Sequence, residues 1–525
     1  MNRYINKIYT CIATTMMVVI GAGCTSFEDV NPTNEFPGNE VGESTYNIEL
    51  VLNEGYLAWS QSFCSQHLPV ANLLADYTEA ITGEQSLGGS YENLYEFDRG
   101  VFHNDGQWSS AYKAINQANM VLDFTENTDP IDELYLLQRD RFRGEAWFIR
   151  AYAYFLLIRY YGEQYNTAGL SKPGVVLRTT PATGFDAGGR ASVGEVYSQI
   201  LSDLDSAEKY LPLTFTTPDN DYEQFPVFQF RAKRFDALSL KAKVQFQMNE
   251  MNQCLLTLQK VIGFLPGSIV ITPKVAPADV MSILADSVAN FYFTQYDVNA
   301  KLRQVSANFT VSGDKGLMVN IDGITNEKQS VIFLTDQFID LYLDANGVVK
   351  GGDGYRMNNF VFKIDIEDLE GVVVDSSRYI FNKFVLDAES NTSWPTLRLE
   401  ELLLMRAEAW ALTNQASAAV KDLNYLKSLR KATPVSLSLS RVELLDAIAQ
   451  DRMLELVGEG ERFFNWKRMG AYNELIESVY SPEVYSSYDR LRTQNIVWNH
   501  PGTLLRIPQT EITRNTDLTD ADQNP

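Results

Sequence analysis

Between Gly83 and Gln107 the chain sets aromatic side chains against polar ones: Tyr91, Tyr95 and Phe97 alternate with Glu92, Asn93, Asp98 and Arg99, and Gly88-Gly89 loosens the backbone beside them. A tyrosine ring offers an apolar platform, and a neighbouring amide, carboxylate or guanidinium offers hydrogen bonds. That pairing suits a ligand with apolar C–H faces and a rim of hydroxyls, such as a sugar ring. The same residues equally suit a loop whose aromatics pack on the body of the protein. A second cluster, Asn290-Phe291-Tyr292-Phe293-Thr294-Gln295-Tyr296, supplies Tyr292 and Tyr296 as candidate platforms. Its alternation is also what a half-buried strand shows. Trp394, beside Pro395, is a further aromatic candidate. The turn Asp344-Ala345-Asn346-Gly347, with Asp353 nearby, holds oxygens that calcium could use, but it lacks the twelve-residue spacing and terminal Glu of an EF-hand, so a tight turn is expected there.

Other chemistries find little support. His67, His103 and His500 are far apart in sequence and lack the paired spacing of a zinc site, so no metal is expected. Neither G-x-x-x-x-G-K-[ST], G-x-S-x-G nor H-E-x-x-H occurs. A glycosidase needs two carboxylates about 5 to 10 Å apart, and 67 acidic residues supply many candidates without singling out a pair. The expectation is therefore a binding protein without cofactor rather than an enzyme. A net charge of −23 repels phosphate backbones and argues against nucleic acid as a partner.

The amino terminus has its own chemistry. Arg3 and Lys7 precede a largely apolar run, Cys11 to Ile20, and Gly21-Ala22-Gly23 supplies the small residues a signal peptidase needs before Cys24. The run is short for a spanning helix of about 20 residues. Cysteine at the cleavage point suits lipid attachment as in a bacterial lipoprotein, against an ordinary signal peptide or an anchoring helix. Residues 1–23 are thus read as a lipoprotein signal peptide and 24–43, rich in Asn, Pro and Gly, as a flexible tether. Cys64 and Cys254 cannot form a disulfide framework and are expected to be buried.

The elements that must position the aromatic loops are helical. Val196, Ile200, Leu204, Ala207 and Leu211 form one apolar stripe that ends at Pro212. Comparable stripes begin at Trp108 and run over Arg139 to Tyr161, Phe230 to Gln247, Gln253 to Ile262, Leu397 to Leu412 and Ala416 to Arg430. The spacing predicts a mostly α protein: a tetratricopeptide-like array of helical hairpins over residues 44–525, with long loop insertions and a few short β-hairpins. The larger irregular region, Pro266 to Asn391 (an insertion over about 266–391), contains the β-favouring runs Val331 to Leu334, Phe360 to Ile366 and Val372 to Val374.

Five ordered blocks resemble the SusD/RagB family of outer-membrane nutrient-binding lipoproteins. They are Glu145-Ala146-x-Phe148-x-Arg150-Ala151-x-x-Tyr154-Phe155 with Tyr161-Gly162; Leu397-Arg398-x-x-Glu401-x-Leu403-Leu404-x-x-Ala407-Glu408-Ala409 with Asn424 and Arg430; Arg452-x-x-Glu455-Leu456-x-x-Glu459-Gly460-x-Arg462; Lys467-Arg468-x-Gly470; and Ile507-Pro508-x-x-Glu511-Ile512-x-x-Asn515 with closing Gln523-Asn524-Pro525. Asn465 stands where the family usually has Asp. The resemblance implies a SusD-like helical fold at the cell outer membrane, lipid-anchored through Cys24 and surface-exposed, for which Glu28-Asp29 is similar to an export signal. It also implies a protein that binds a glycan or other oligomeric nutrient and delivers it to a SusC-like TonB-dependent transporter. In that family the ligand-contacting loop follows an Asp that matches Asp76, which implies Tyr77, Tyr91, Asn93, Tyr95 and Arg99 as ligand-binding residues, with Tyr292 and Tyr296 from the insertion. Arg150, Arg398, Glu408, Glu455, Glu459 and Arg462 are expected on helices as buried ion pairs that hold the fold. The alternatives are a helical-array glycoside hydrolase and a protein-binding scaffold.

Overall fold

The computed structural model describes residues 44–60, 62, 67–80, 95, 97, 105–127, 133–182, 184, 187–213, 231–263, 332–367, 373–381, 396–475, 479–481 and 496–524. The expected signal peptide and tether, with Cys24, Cys64, Tyr91, Asn93, Arg99, Tyr292, Tyr296 and Trp394, lie outside them.

Long helices dominate: α1 (Thr45–Ser60), α2 (Asp105–Asn127), α3 (Glu133–Tyr161), α4 (Val193–Tyr210), α5 (Arg234–Gln247), α6 (Met251–Gly263), α7 (Leu399–Leu412), α8 (Ala416–Leu429), α9 (Arg441–Glu455) and α10 (Arg462–Leu475). The local causes are visible in the sequence. Ser192 caps α4 in a box with Glu195, the stripe Val196, Ile200, Leu204 and Ala207 is buried, and Pro212 follows the end. Ser440 and Glu443 start α9 the same way. The expected segment from Phe230 begins instead at Arg234, because Asp236 accepts the Lys233 backbone N–H and fixes the first turn there. Arg398 is the residue before α7 rather than part of it, and Glu459 sits in the turn between α9 and α10.

Each helix packs on the next in an array: α1 on α2, α2 on α3, α3 on α4, α4 on α5, α5 on α6. The array then crosses the insertion without a break, since α6 packs on α7, and α7 on α8 and α9. Two core clusters result, one around α1 to α4 and the other around α5 to α9. In the first, α3 is buried almost all round from Phe148 to Tyr161, which explains why Ala146, Ala151 and Ala153 are needed where neighbours close in. At Gly144 even a methyl group would come within 2.8 Å of the Leu211 backbone nitrogen, so the end of α4 can approach α3 this closely only over glycine.

Strands are few and short. A ribbon of β2 (Pro173–Val176) and β3 (Arg190–Ser192) lies against α3 and α4. A four-stranded antiparallel sheet runs in the order β1, β4, β6, β5, with β1 Thr78–Ala80, β4 Ile332–Leu334, β5 Val361–Glu367 and β6 Val373–Phe381. Three of its strands fall where β-favouring runs were expected. Two short helices in the same insertion, Asp336–Tyr342 and Gly354–Phe360, were not expected there, and Asp105–Gln107, read as loop, is the first turn of α2. Thr335 caps the first of the short helices through its side chain. No helix among the described residues is long and apolar enough to cross a membrane.

Candidate functional site

The aromatic loop is rooted at Asp76-Tyr77, immediately before β1. Both residues are buried, at 2% and 1% exposure. The Asp76 carboxylate takes both hydrogen bonds of the Arg462 fork, at 2.8 and 2.6 Å, so the loop root is bolted to the start of α10. The Tyr77 hydroxyl donates to Asn72 Oδ1 at 3.0 Å and accepts from the Gly458 backbone N–H at 3.1 Å. Burial pushes that hydroxyl well above the ordinary tyrosine range. Tyr77 therefore has no open face for a ligand: expected as a platform, it is an anchor. Its ring packs on Phe338 of the insertion at 5.0 Å between centroids.

From this root β1 pairs with β4 in the register Thr78 with Leu334 and Ala80 with Ile332. The pairing brings two distant parts of the sequence together. The segment that carries Tyr91 departs from Ala80, and the segment that carries Tyr292 and Tyr296 arrives at Ile332, directly opposite. Farther along, Tyr95 is half-buried against the first core cluster. Phe97 is buried with φ 55, and its carbonyl oxygen lies 2.9 Å from where a Cβ on Gly502 would stand. Phe97 pins the loop at its far side to the carboxyl-terminal segment.

The insertion is held to the array by charge. Glu455, fully buried, accepts from Arg356 Nε at 2.8 Å, Arg398 at 2.8 Å and Arg430 at 2.6 and 3.0 Å. Burial alone would raise its carboxyl, but the guanidiniums of Arg430, Arg356 and Arg398 outweigh that and hold it well below the usual carboxylate range. Arg398 also makes two 2.7 Å bonds to Glu459, and Arg356 reaches Asp353 and Asp451 at 2.7 Å each. Arg150 grips Asp203 at 2.6 and 2.8 Å, and Glu408 is held by Arg468 and Tyr480. All six residues expected as buried ion pairs are so. Arg356 and Asp451, which complete the network, had not been singled out; a lone arginine in a glycine-rich stretch gives little signal by itself.

The remaining candidates resolve simply. Asp344 Oδ1 accepts the backbone N–H of Asn346 at 2.8 Å and of Val348 at 2.9 Å, which makes a tight turn with Gly347 at φ 74, and Asp353 faces Arg356. His67 is buried, with Nδ1 2.8 Å from the Tyr160 hydroxyl, and burial drives its imidazole well below its usual value. Cys254 is buried and unbonded to another cysteine. Among the described residues no three His, Cys, Asp or Glu side chains converge as a metal site. A wide surface groove of about 1010 Å³ is lined by Tyr165, Ser192, Glu195 and Gln199 among others.

Two family models match this chain. One, described as starch-binding associating with outer membrane, matches residues 29–244, and the other, described as the SusD family, matches residues 379–525. The chain belongs to the SusD family. A SusD-like protein P2 of Formosa agariphila is 23% identical over 97% of this chain and 98% of its own, and SusD-like protein P38 of the same organism is 20% identical over 94% and 96%. Among solved structures, a SusD superfamily protein from Bacteroides thetaiotaomicron superposes with a TM-score of 0.66 at 20% identity, covering 91% of this chain and 99% of that one. A laminarin-binding SusD-like protein gives 0.61 at 21% identity, covering 92% and 99%, and surface glycan-binding protein A from Bacteroides uniformis gives 0.67 at 15%, also covering 92% and 99%. The fold is thus the SusD fold, and the gap between the two matched regions contains the segment that ends at β4.

Proposed function

We propose that this protein is a non-catalytic surface binder of a glycan or comparable oligomeric nutrient. In this reading residues 1–23 are a signal peptide, Cys24 carries the lipid that holds the protein at the outer membrane, residues 24–43 are the tether, and the bound oligomer passes to a SusC-like TonB-dependent transporter. The observation that carries the reading is the pairing of Ala80 with Ile332, which roots two aromatic-rich segments side by side on one sheet. Tyr91, Asn93, Tyr95 and Arg99 from one segment and Tyr292 and Tyr296 from the other are the proposed ligand-facing residues, with Tyr77 beneath them as anchor. Supporting it are the family description, starch-binding associating with outer membrane, and the laminarin-binding and glycan-binding relatives of the same fold.

A non-catalytic role agrees with the state of two buried acids of the family-like blocks. Glu455 and Glu408 are held ionised by arginines, which suits structural ion pairs and not a proton donor. Isothermal titration of the full chain with a panel of neutral oligosaccharides, β-glucans included, tests the proposal, with prolonged analysis of products. Binding without turnover is expected; steady release of shorter sugars would establish a hydrolase instead, and absence of any oligosaccharide binding would favour a protein scaffold. Co-purification in detergent tests the transporter, since a stable complex should bury more than about 2,000 Å².

A further inference from the structure

Lys467 lies on α10 at 2% exposure, and it differs from most of the described buried cations. Arg150, Arg356, Arg398, Arg430, Arg462, Arg468 and Lys243 each face a carboxylate within hydrogen-bonding reach. Lys467 faces none among the described residues. Its Nζ makes one long bond, 3.4 Å to the Thr503 carbonyl, and otherwise lies 5.5 Å from the centre of the Phe463 ring.

Lys467 is among the residues that line a cavity of about 280 Å³. The other walls come from five parts of the chain: Glu163 and Gln164 after α3, Pro173 on β2, Arg190 on β3, residues between Trp498 and Leu504, and the carboxyl-terminal residues Ala521 to Asn524. Trp498 owes its place to Gly470, where any Cβ would come within 2.6 Å of the indole. The indole Nε1–H is satisfied by Glu474 at 3.1 Å. Trp498, Pro501, Leu504 and Pro173 give the cavity an apolar side.

Four charged groups line it: Glu163, Arg190, Lys467 and Asp522. Three are spoken for. Glu163 pairs with Lys172 at 2.6 Å, Asp522 accepts from the Thr519 backbone and hydroxyl, and the Arg190 guanidinium donates to the carbonyls of Gly174, Tyr161, Pro173 and Asp522. Lys467 is the least satisfied of the four, with one long bond to a carbonyl, and its ammonium favours a negatively charged ligand. A carboxylate supplies one such charge. Room for about nine waters, at roughly 30 Å³ each, leaves space for a ring as well as the carboxylate.

We propose that this cavity binds a small monocarboxylate of monosaccharide size, its carboxylate on Lys467 Nζ and its ring against the Trp498 side. Burial pushes the unoccupied Lys467 down to about 7, so binding a carboxylate draws a proton onto the amine and is tighter at pH 6 than at pH 8.5. The Glu163 carboxylate acts on this amine against the effect of burial, without a hydrogen bond to it.

The test uses the full chain in detergent, with glucuronate as probe and glucose as its uncharged counterpart, titrated at pH 6 and equal ionic strength. Glucuronate is expected to bind at least about tenfold more tightly than glucose, and Lys467→Met to remove that preference. Glucuronate binding should survive in the Tyr91→Ala/Tyr95→Ala variant, which separates this cavity from the proposed glycan loop. Equal binding of the two sugars, an unaffected Lys467→Met, or loss in the loop variant would each overturn the proposal. A crystal soaked in glucuronate gives a reading that no variant's folding can obscure: density for a carboxylate within about 3.2 Å of Lys467 Nζ supports the site, and water alone there overturns it.

Discussion

Arg398 and Lys467 are cations buried to the same degree, 4% and 2% exposed, yet their surroundings differ completely. Arg398 stands among Glu455, Glu459 and Glu400, with further guanidiniums from Arg356 and Arg430 sharing Glu455. Every charge there has its opposite. Lys467 has one distant carbonyl and a cavity. A buried charge with complete partners fixes the position of the elements that supply them, here the insertion, α7, α8 and α9. One without partners costs stability, and it points to a place where something is still to bind.

The sharpest way to break the comparison is at Glu455. Glu455→Gln leaves three guanidiniums without their shared carboxylate, and a loss of about 3 to 5 kcal/mol is expected in denaturant unfolding. A loss under about 1 kcal/mol would mean that the network does not hold the insertion. Acid probes the same cluster without mutation. Because Glu455 keeps its proton off in the fold well below the ordinary carboxylate range, its contribution is complete above the unfolded value near 4.3 and is lost as pH falls below that. The difference in melting temperature between the wild type and Glu455→Gln is expected to hold from pH 7 to about 5 and then to shrink as pH falls further.

How much of this was legible beforehand depends on where each residue's partners lie. Charged residues on or beside apolar helices are expected to be paired, and Arg150, Arg398, Glu408 and Glu455 are. The helical array was legible for the same reason, since stripes such as Val196 to Ala207 can be read along one segment. Tyr77 was misread because a tyrosine at a loop root looks alike whether its ring turns out or in. The partner that turned it in, the backbone of Gly458, is 381 positions away. Lys467 did carry a local signal: its neighbours one helical turn away are Phe463, Phe464, Gly470 and Ala471, so no acid on its own helix can reach it.

The loop and its anchor sharpen the contrast between parts that hold and parts that bind. Replacing Tyr91 and Tyr95 together with Ala is expected to weaken oligosaccharide binding by about 2 kcal/mol, near 1 for each ring, with little change in melting. Tyr77→Phe should do the reverse. It strips an acceptor from the Gly458 N–H and a donor from Asn72, so a loss of about 1 kcal/mol in stability is expected with affinity nearly unchanged. Should Tyr77→Phe weaken affinity as much as the double variant does, the anchor and the platforms could not be distinguished, and Tyr77 would return to the binding set.

At Lys467 the sign of the effect matters more than its size. Folding lowers this amine to about 7 from an unfolded value near 10.4, so between those two pH values the unfolded chain keeps a proton that the folded chain has given up. Stability of the wild-type chain therefore gains from Lys467 deprotonation as pH rises through that window. Lys467→Met has no such proton to lose. It should melt at or above the wild-type temperature at pH 7, and that advantage should shrink towards pH 10 as the wild type recovers. Melting curves of the two proteins across this range decide the matter: a Lys467→Met chain that is less stable at pH 7 would mean the ammonium is satisfied in the fold, and the contrast with Arg398 would vanish.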